Sequence, residues 1–327
     1  MYPCRLYRPQ MSPLMMSGNY GRKSDDMEST LAALEIGDDS PSSRTSGDCG
    51  WQVVSASVTG TIHERHGERN QDALSWWSSE GDRPLAVLCV ADGHGGSEYT
   101  RSHIGACHAV TQAQRLLVSE VVPLFQDESN LPDLAQFKRH LMQQLPKLLV
   151  NLWRESVVEH ANDNPIQEGE YPARSEAPVE RLYGATLLAA LLSPDFHLYI
   201  QLGDGDILTV SADGEISRPP FEVDSHLFAN HTTSLCSREA WRFVRIHCQP
   251  IVERPPVFVM LATDGYSNSF AEDADFKQVA KDLYTKIQQD GPSAVAGQLR
   301  GWLKATSEGG SGDDISAIIA ANWIRPE

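Results

Sequence analysis

Short apolar runs bounded by turn residues recur along the chain from residue 51 onward. Runs of roughly four to eight residues with alternating or continuous apolar character are typical of β-strands. Turn-forming sequences such as Ala212-Asp213-Gly214-Glu215 separate neighbouring runs and favour antiparallel hairpins. The pattern predicts strands over residues 51–58, 72–77, 85–91, 186–192, 197–201, 207–211, 241–247, 257–262 and 315–322.

Longer segments show the apolar spacing of amphipathic helices. The pattern predicts helices over residues 97–121, 133–160, 275–289 and 293–306. Pro146 lies in the second helix and is expected to kink or split it, because proline lacks an N–H donor. Strands and helices therefore occur in separate blocks along the chain. This order predicts a layered α+β domain rather than a doubly wound parallel sheet.

The first 48 residues differ in composition from the rest of the chain. Ser, Gly, Asp, Pro and Met dominate them, as in Gly37-Asp38-Asp39-Ser40-Pro41. Such segments bury too little apolar surface to offset the entropy lost on ordering. We predict a disordered tail over residues 1–48 and one folded domain over residues 49–327. The 327 residues are 41% hydrophobic, which is enough for one large core.

Charge and cysteine usage narrow the range of partners and compartments. The net charge is −17, and a surface of that sign repels nucleic acid and anionic membranes. No apolar run approaches the ~18 residues of a membrane span. The six cysteines form no Cys-x-x-Cys pair, which fits a reducing compartment rather than a zinc site or a disulfide framework. These features predict a cytoplasmic protein.

Acidic residues recur where predicted strands begin or end. Four motifs share this placement: Asn70-Gln71-Asp72, Ala91-Asp92-Gly93-His94-Gly95-Gly96, Ala262-Thr263-Asp264-Gly265 and Ser311-Gly312-Asp313-Asp314. Taken singly, Asp92 and Asp264 each precede glycine and fit an ordinary Asp-Gly turn. Carboxylates at the ends of buried strands are costly unless neutralised. Brought together, they would form an oxygen-rich site suited to Mg²⁺ or Mn²⁺.

Seven motifs in a fixed order identify a family resemblance. The chain resembles the metal-dependent type 2C Ser/Thr protein phosphatases, in particular their bacterial branch. The motifs that carry the resemblance are Gly60-Thr61-Ile62-His63 with Gln71-Asp72, Asp92-Gly93-His94-Gly95-Gly96, Gly184-Ala185-Thr186, Gly203-Asp204-Gly205-Asp206, Thr232-Thr233-Ser234-Leu235, Thr263-Asp264-Gly265 and Ser311-Gly312-Asp313-Asp314-Ile315-Ser316. A single motif could occur by chance, but the series spans residues 60–316, nearly all of the predicted domain.

The resemblance implies a fold and a pair of divalent cations, Mn²⁺ or Mg²⁺. The fold is a four-layer α-β-β-α sandwich, in which helices flank two central antiparallel sheets. Asp72 and Asp92 would lie between the two cations, and the Gly93 carbonyl would add a ligand. Asp264 and Asp313 would hold one cation from the other sheet. A bridging water activated by both cations would attack phosphorus.

Other site residues follow from the same resemblance. His94 would be the general acid that protonates the leaving oxygen, although a lone His is more often structural. His63 would shape the site or contact phosphate. Asp204 would shape a hairpin near the site, and Asp314 would orient Asp313 from outside the ligand set.

The chain departs from the family pattern at two of these positions. Gln71 stands where many members have Glu, so one negative charge is lost and metal affinity is expected to be lower. The phosphate-binding Arg is absent from its usual spacing before Asp72. Arg65 and Arg69 are the nearby candidates, and each also fits a solvated loop charge.

The resemblance implies an enzyme that hydrolyses phosphoserine and phosphothreonine in proteins. The expected partner is a phosphorylated protein, the substrate of a Ser/Thr kinase, and the expected state is a monomer. Two alternatives stay open at this point. One is hydrolysis of other phosphoesters. The other is a catalytically weak or silent pseudophosphatase that binds a phosphoprotein.

Overall fold

Eleven strands are present in the part of the chain that the computed structural model describes, which comprises residues 42–44, 50–79, 81–167, 170, 177–221, 233–251 and 255–323. The strands are β1 (Ser42–Arg44), β2 (Trp51–Val58), β3 (Ala73–Ser78), β4 (Ala86–Ala91), β5 (Leu187–Leu192), β6 (Phe196–Leu202), β7 (Asp206–Ser211), β8 (Ile216–Ser217), β9 (Arg245–Pro250), β10 (Pro256–Ala262) and β11 (Ile315–Asn322). The prediction for residues 1–48 lies outside the described residues, apart from β1, which pairs with β2.

The strands form two antiparallel sheets. One has six strands in the order β1-β2-β11-β10-β7-β8, and the other has five in the order β3-β4-β5-β6-β9. Neighbours in chain order pair through short connections, as when Leu187 faces Leu202 across β5 and β6. In the six-stranded sheet, β10 pairs with β11, with Ala262 opposite Ala317. In the five-stranded sheet, Ala73 of β3 faces Ala91 of β4.

Helices cover the outer faces of both sheets. They are α1 (Thr61–His66), α2 (Ser102–Leu116), α3 (Val122–Phe125), α4 (Leu134–Asp163), α5 (Asp264–Ser267), α6 (Asp273–Asp290) and α7 (Pro292–Gly309), with a π-helical segment at Leu117–Val121 and 3₁₀ turns at Glu128–Asn130, Val179–Tyr183 and Ala240–Arg242. α2 and α4 pack on the five-stranded sheet, and α6 and α7 on the six-stranded sheet. The predicted four-layer α-β-β-α sandwich is confirmed. No helix of the described residues is long and apolar enough to cross a bilayer.

Three apolar layers hold this sandwich together. A core between the two sheets contains Leu88, Val90 and Ile318, all fully buried. Successive strand residues point alternately to this inner core and to an outer core under the helices. In β4, Val87 and Cys89 pack in the outer core with α2 and α4. Burial on both faces explains why strands such as β4 read as continuous apolar runs rather than alternating ones.

One predicted strand is partly wrong, and one helix is missing from the prediction. The strand predicted over residues 241–247 begins only at Arg245, because Ala240–Arg242 form a 3₁₀ turn. There the Trp241 ring contacts two cations, with Lys147 Nζ 4.8 Å and the Arg242 guanidinium carbon 5.1 Å from its centroid. Helix α1 was not predicted at all.

Pro146 does not split the helix that contains it. Helix α4 runs without a break from Leu134 to Asp163 with Pro146 inside. The proline itself is buried, as are Leu145 and Leu149 on the core side of the helix. Tertiary packing of this face outweighs the lost backbone hydrogen bond.

Candidate active site

Four strand ends converge at one end of the sandwich. Asp72 immediately precedes β3 and Asp92 immediately follows β4, in the five-stranded sheet. Asp264 lies just beyond the end of β10, and the Asp313-Asp314 pair precedes β11, in the six-stranded sheet. Because β3 is antiparallel to β4, and β10 to β11, the start of one strand lies beside the end of the next. The structure therefore brings together all four carboxylates predicted from the motifs.

Asp72 is buried between the sheets and bonded across them. Its side chain is 4% exposed, and Thr263 Oγ1 donates a 2.8 Å hydrogen bond to Asp72 Oδ2. The same Thr263 hydroxyl accepts a 2.9 Å bond from the Ser316 N–H. Burial raises the pKa of the Asp72 carboxyl well above its usual range, and the charge of Asp314 adds to the effect.

Asp92 and Asp264 face each other from opposite sheets. Their carboxyl groups lie within hydrogen-bonding reach of one another. Burial raises the pKa of both groups, and that of Asp92 more strongly, because the charges of Asp72 and Asp264 also surround it. Asn268 Nδ2 donates a 3.0 Å bond to Asp264 Oδ2 and fixes that carboxylate. Two carboxyl groups this close share one proton unless a cation lies between them.

Asp314 is a junction for three loops. Its Oδ1 accepts a 2.7 Å bond from the Gly60 N–H, and its Oδ2 accepts a 2.6 Å bond from the Gln71 N–H. His63 Nδ1 of helix α1 lies 3.0 Å from Asp314 Oδ1. Burial alone would lower the pKa of His63, but Asp314 and its neighbours outweigh burial and raise it. The Asp314 N–H donates 2.8 Å to Asp313 Oδ1, so Asp313 is held from within the same loop.

Gly93 is enclosed so tightly that no side chain fits. A Cβ at this position would lie 2.6 Å from the Gln71 carbonyl oxygen and 2.8 Å from that of Ser102. The Gly93 N–H donates a 3.1 Å bond to the Gln71 carbonyl. The loop between Asp92 and helix α2 is thus pressed against the loop before β3. This contact requires the glycine of the Asp-Gly-His motif.

His94 presents a buried ring nitrogen next to this cluster. The backbone N–H of His94 donates a 3.0 Å bond to the Gly184 carbonyl. The His94 ring packs against Tyr99, with ring centroids 5.1 Å apart. A Cβ on Gly184 would come within 2.9 Å of His94 Cδ2, so glycine makes room for the ring. His94 Nε2 is buried without a hydrogen-bond partner among the described residues. Burial lowers the pKa of His94, although the charge of Asp204 partly offsets this.

The residues present fit divalent cations. Among the described residues, no Lys or Arg forms an ion pair with Asp72, Asp92, Asp264 or Asp313. Asp72, Asp92 and Asp264 have raised pKa values and no such counter-charge, so their ionised forms are costly. His63, Asp313 and Asp314 also place one ligand atom each within 4.8 Å of one another. Hard oxygen donors in this number match the preference of Mg²⁺ and Mn²⁺.

The two candidate phosphate-binding arginines lie at the rim. Arg65 is in the last turn of α1, and Arg69 follows that helix three residues before Asp72. Both side chains are exposed, and neither forms an ion pair or hydrogen bond with another residue of the described ranges. Arg69 is close enough to His103 of α2 to help lower the pKa of that histidine, after the larger effect of burial. Asp204 lies in the turn between β6 and β7, which belong to different sheets, so this turn crosses from one sheet to the other and the predicted hairpin is wrong.

A buried arginine elsewhere is already engaged. Arg101, at the start of α2, is 7% exposed. Its guanidinium donates to both carboxylate oxygens of Glu170, at 3.1 Å and 2.7 Å, and to Tyr183 Oη at 2.9 Å. This fork anchors the chain after α4 rather than facing the carboxylates.

Several supporting residues were not singled out from the sequence. Thr263 and Ser316 link the sheets behind Asp72, and Tyr99 with Gly184 supports His94. Thr263 directly precedes Asp264 in its motif, and a hydroxyl at that point is a usable signal. Tyr99 carries no such signal, because its contact with His94 depends on how the loop before α2 folds back.

Comparisons with known proteins agree with this geometry. The family model described as Protein phosphatase 2C matches residues 59–304. No curated protein sequence matches the chain. Three similar solved structures are those of the serine/threonine phosphatase Stp1 from Staphylococcus aureus (TM-score 0.52, 15% identity, 85% of this chain and 97% of that chain), the serine-threonine phosphatase 2C from Toxoplasma gondii (0.53, 14%, 86% and 98%), and the catalytic domain of PstP in complex with two manganese ions (0.50, 16%, 83% and 97%).

The fold and the cluster of carboxylates define a metal-dependent phosphatase. At these identities the solved structures show the shared fold, while the family model covers more than half of the chain. The chain belongs to the protein phosphatase 2C family and is a metal-dependent Ser/Thr protein phosphatase.

Proposed function

We propose that this protein removes phosphate from phosphoserine and phosphothreonine side chains with the help of two Mn²⁺ or Mg²⁺ ions. Asp72, Asp92, Asp264, Asp313 and the Gly93 carbonyl would hold the ions. The observation that carries the proposal is the cluster of four carboxylates where the two sheets meet, with Asp72 buried and no ion pair to a Lys or Arg of the described residues. The relative PstP is solved with two manganese ions, which supports the stoichiometry.

The cations, when bound, supply an activated water as nucleophile and offset charge on the phosphoryl oxygens. The chain supplies fixed ligands. Thr263 holds Asp72, and Asn268 holds Asp264, so each carboxylate keeps its orientation before substrate arrives. Asp314 orients Asp313 and ties the loops on either side of it. Preorganised ligands cost little reorganisation during the reaction.

His94 is the proposed general acid. The leaving oxygen of Ser or Thr is a poor leaving group and needs a proton as the P–O bond breaks. His94 Nε2 is free of protein partners among the described residues, and Tyr99 and Gly184 fix its ring. Burial lowers the pKa of His94 and favours the neutral imidazole, whereas the negative charge of a bound phosphoryl group would favour the protonated form.

Arg65 and Arg69 are the proposed phosphate contacts. Both are exposed and unpaired within the described ranges, beside helix α1 and the Asp72 loop, in a chain of net charge −17. In such a negative field, an unpaired guanidinium at the rim offers an attractive position for a phosphate dianion. His63, next to Asp314, would shape the site between these two arginines and the cations.

The proposed setting is the cytoplasm, where the protein would act as a monomer in signalling, on substrates of a Ser/Thr kinase. Among the described residues, Cys89, Cys107, Cys236 and Cys248 form no disulfide, which is consistent with a reducing compartment. All four predicted carboxylate ligands are present in one cluster, so no observation on the described residues favours a silent binding module.

Hydrolysis of a phosphothreonine peptide and of p-nitrophenyl phosphate tests the proposal. Wild-type protein should hydrolyse both with Mn²⁺ and neither after chelation. Asp264→Asn should lose activity on both, by about 10²-fold or more, because it removes a charged ligand. Asp275→Asn, the same change at an exposed position on α6, should match wild type. An active Asp264→Asn protein, or activity that persists in chelator, would refute the proposal.

A further inference from the structure

Gln71 is in contact with the Asp-Gly-His loop through its side chain as well as its backbone. The carbonyl oxygens of Gly93 and His94 lie 2.8 Å and 3.2 Å from one terminal atom of the Gln71 carboxamide. Because both neighbours are acceptors and an amide oxygen has no proton to donate, we assign that atom as the nitrogen Nε2. The Gln71 amide therefore donates to both carbonyls.

Two backbone hydrogen bonds of Gln71 fix the position from which its side chain reaches the Gly93 and His94 carbonyls. Its N–H donates 2.6 Å to Asp314 Oδ2, and its carbonyl accepts 3.1 Å from the Gly93 N–H. The residue is thus tied to the loop before β11 and to the loop after β4.

We infer that Gln71 is a positioning residue that builds the loop carrying Asp92 and His94 before any cation binds. A carboxylate at position 71 would face two carbonyl oxygens at these distances and repel them, unless a cation lay between. The N–H groups of the Gln71 amide attract the two carbonyl oxygens directly, so no cation is needed between them. The neutral Gln71, which from the sequence was expected only to lower metal affinity, therefore holds the loop between Asp92 and α2 without needing a cation.

The consequence for cation binding concerns the Gly93 carbonyl. That oxygen is a proposed cation ligand, and it also accepts a hydrogen bond from the Gln71 amide, so one of its lone pairs is already shared. This consequence rests on the proposed function, whereas the hydrogen bonds themselves are testable on protein from which metal has been removed. Failure of the inference about Gln71 is therefore distinguishable from failure of the proposed function.

The test compares the full-length Gln71→Glu and Gln71→Met variants with wild type after treatment with chelator. Both should unfold at lower temperature than wild type, by about 3–8 °C, because the donor is lost. Hydrogen exchange in the peptide spanning residues 93–99 should be faster in both. Gln144→Glu, the same charge change at an exposed site on α4, should show neither effect.

Addition of Mn²⁺ separates positioning from simple packing. Mn²⁺ should restore the unfolding temperature of Gln71→Glu to that of wild type or above, and should bind about tenfold more tightly by calorimetry. Mn²⁺ should not restore slow exchange in Gln71→Met, which offers no ligand. Metal-free variants with wild-type unfolding temperature and wild-type exchange over residues 93–99 would overturn the inference, as would equal rescue of both variants by Mn²⁺.

Discussion

Thr263 Oγ1 donates a 2.8 Å hydrogen bond to Asp72 Oδ2, and this bond joins the two sheets at the point where the carboxylates meet. The two residues are 191 positions apart in the sequence. Thr263 directly precedes Asp264, so one short segment both fixes Asp72 and presents the facing carboxylate. The geometry of the site thus depends on a contact between sheets and not on either sheet alone.

Removal of the Thr263 hydroxyl tests this relationship. Thr263→Val keeps the shape of the side chain but removes the Thr263 donor from buried Asp72 Oδ2 and the acceptor of the Ser316 N–H. We expect the free energy of unfolding to fall by about 1–3 kcal/mol in urea denaturation. Thr263→Ser keeps the hydroxyl and should lose less than half as much. A Val variant as stable as wild type would show that the bond contributes nothing.

The general-acid role of His94 predicts a difference between substrates. His94→Ala should slow hydrolysis of a phosphothreonine peptide by about 10²-fold or more, because the alkoxide needs a proton. The effect on p-nitrophenyl phosphate should be much smaller, since nitrophenolate leaves without one. His140→Ala, at an exposed position on α4, is the control. An equal loss on both substrates would argue that His94 only shapes the site.

Steady-state kinetics distinguish the two rim arginines. Replacing the phosphate contact by Ala should raise KM for the phosphopeptide about tenfold, with kcat changed less, if the contact is equal in the ground and transition states. Arg65→Ala and Arg69→Ala are measured separately, with Arg139→Ala on α4 as an exposed control. If neither rim variant differs from the control, phosphate binds elsewhere.

Acid should destabilise the protein in part through His108 of α2. Its Nε2 is buried without a partner among the described residues, and burial lowers its pKa to about 4. The pKa of an unfolded His is about 6.5, so the unfolded chain binds the proton more readily. The stabilisation is therefore complete above about pH 6.5 and is lost as pH falls toward 4, with a magnitude on the order of 2 kcal/mol.

Urea denaturation at pH 7, 6 and 5 measures this dependence. His108→Gln should show a flatter loss of unfolding free energy than wild type over this range, whereas His140→Gln should follow wild type. Parallel curves for His108→Gln and wild type would contradict the assignment.

The sequence predicts where the clustered carboxylates lie better than it predicts the contacts that hold them. Asp72, Asp92 and Asp264 stand next to apolar strands, and local pattern was enough to place them at strand ends. The order of motifs then supplied the fold. Helix α1 was not predictable from apolar spacing, because it has only six residues and none of them is buried.

Other features depend on partners that are distant in sequence. Trp241 was assigned to a strand from its apolar neighbours, but its contacts with Lys147 and Arg242 belong to a 3₁₀ turn. The direction of the Gln71 amide could not be predicted either. It follows from the carbonyls of Gly93 and His94, which reach position 71 only in the folded chain.

Anomalous diffraction from crystals grown with Mn²⁺ and phosphate tests the central claim most directly. We predict two manganese peaks about 3.5–4 Å apart, with Asp72 and Asp92 between them and Asp264 and Asp313 on one of the two ions. Phosphate should lie against both peaks. A structure whose carboxylate cluster shows no anomalous peak at saturating Mn²⁺ would contradict the account.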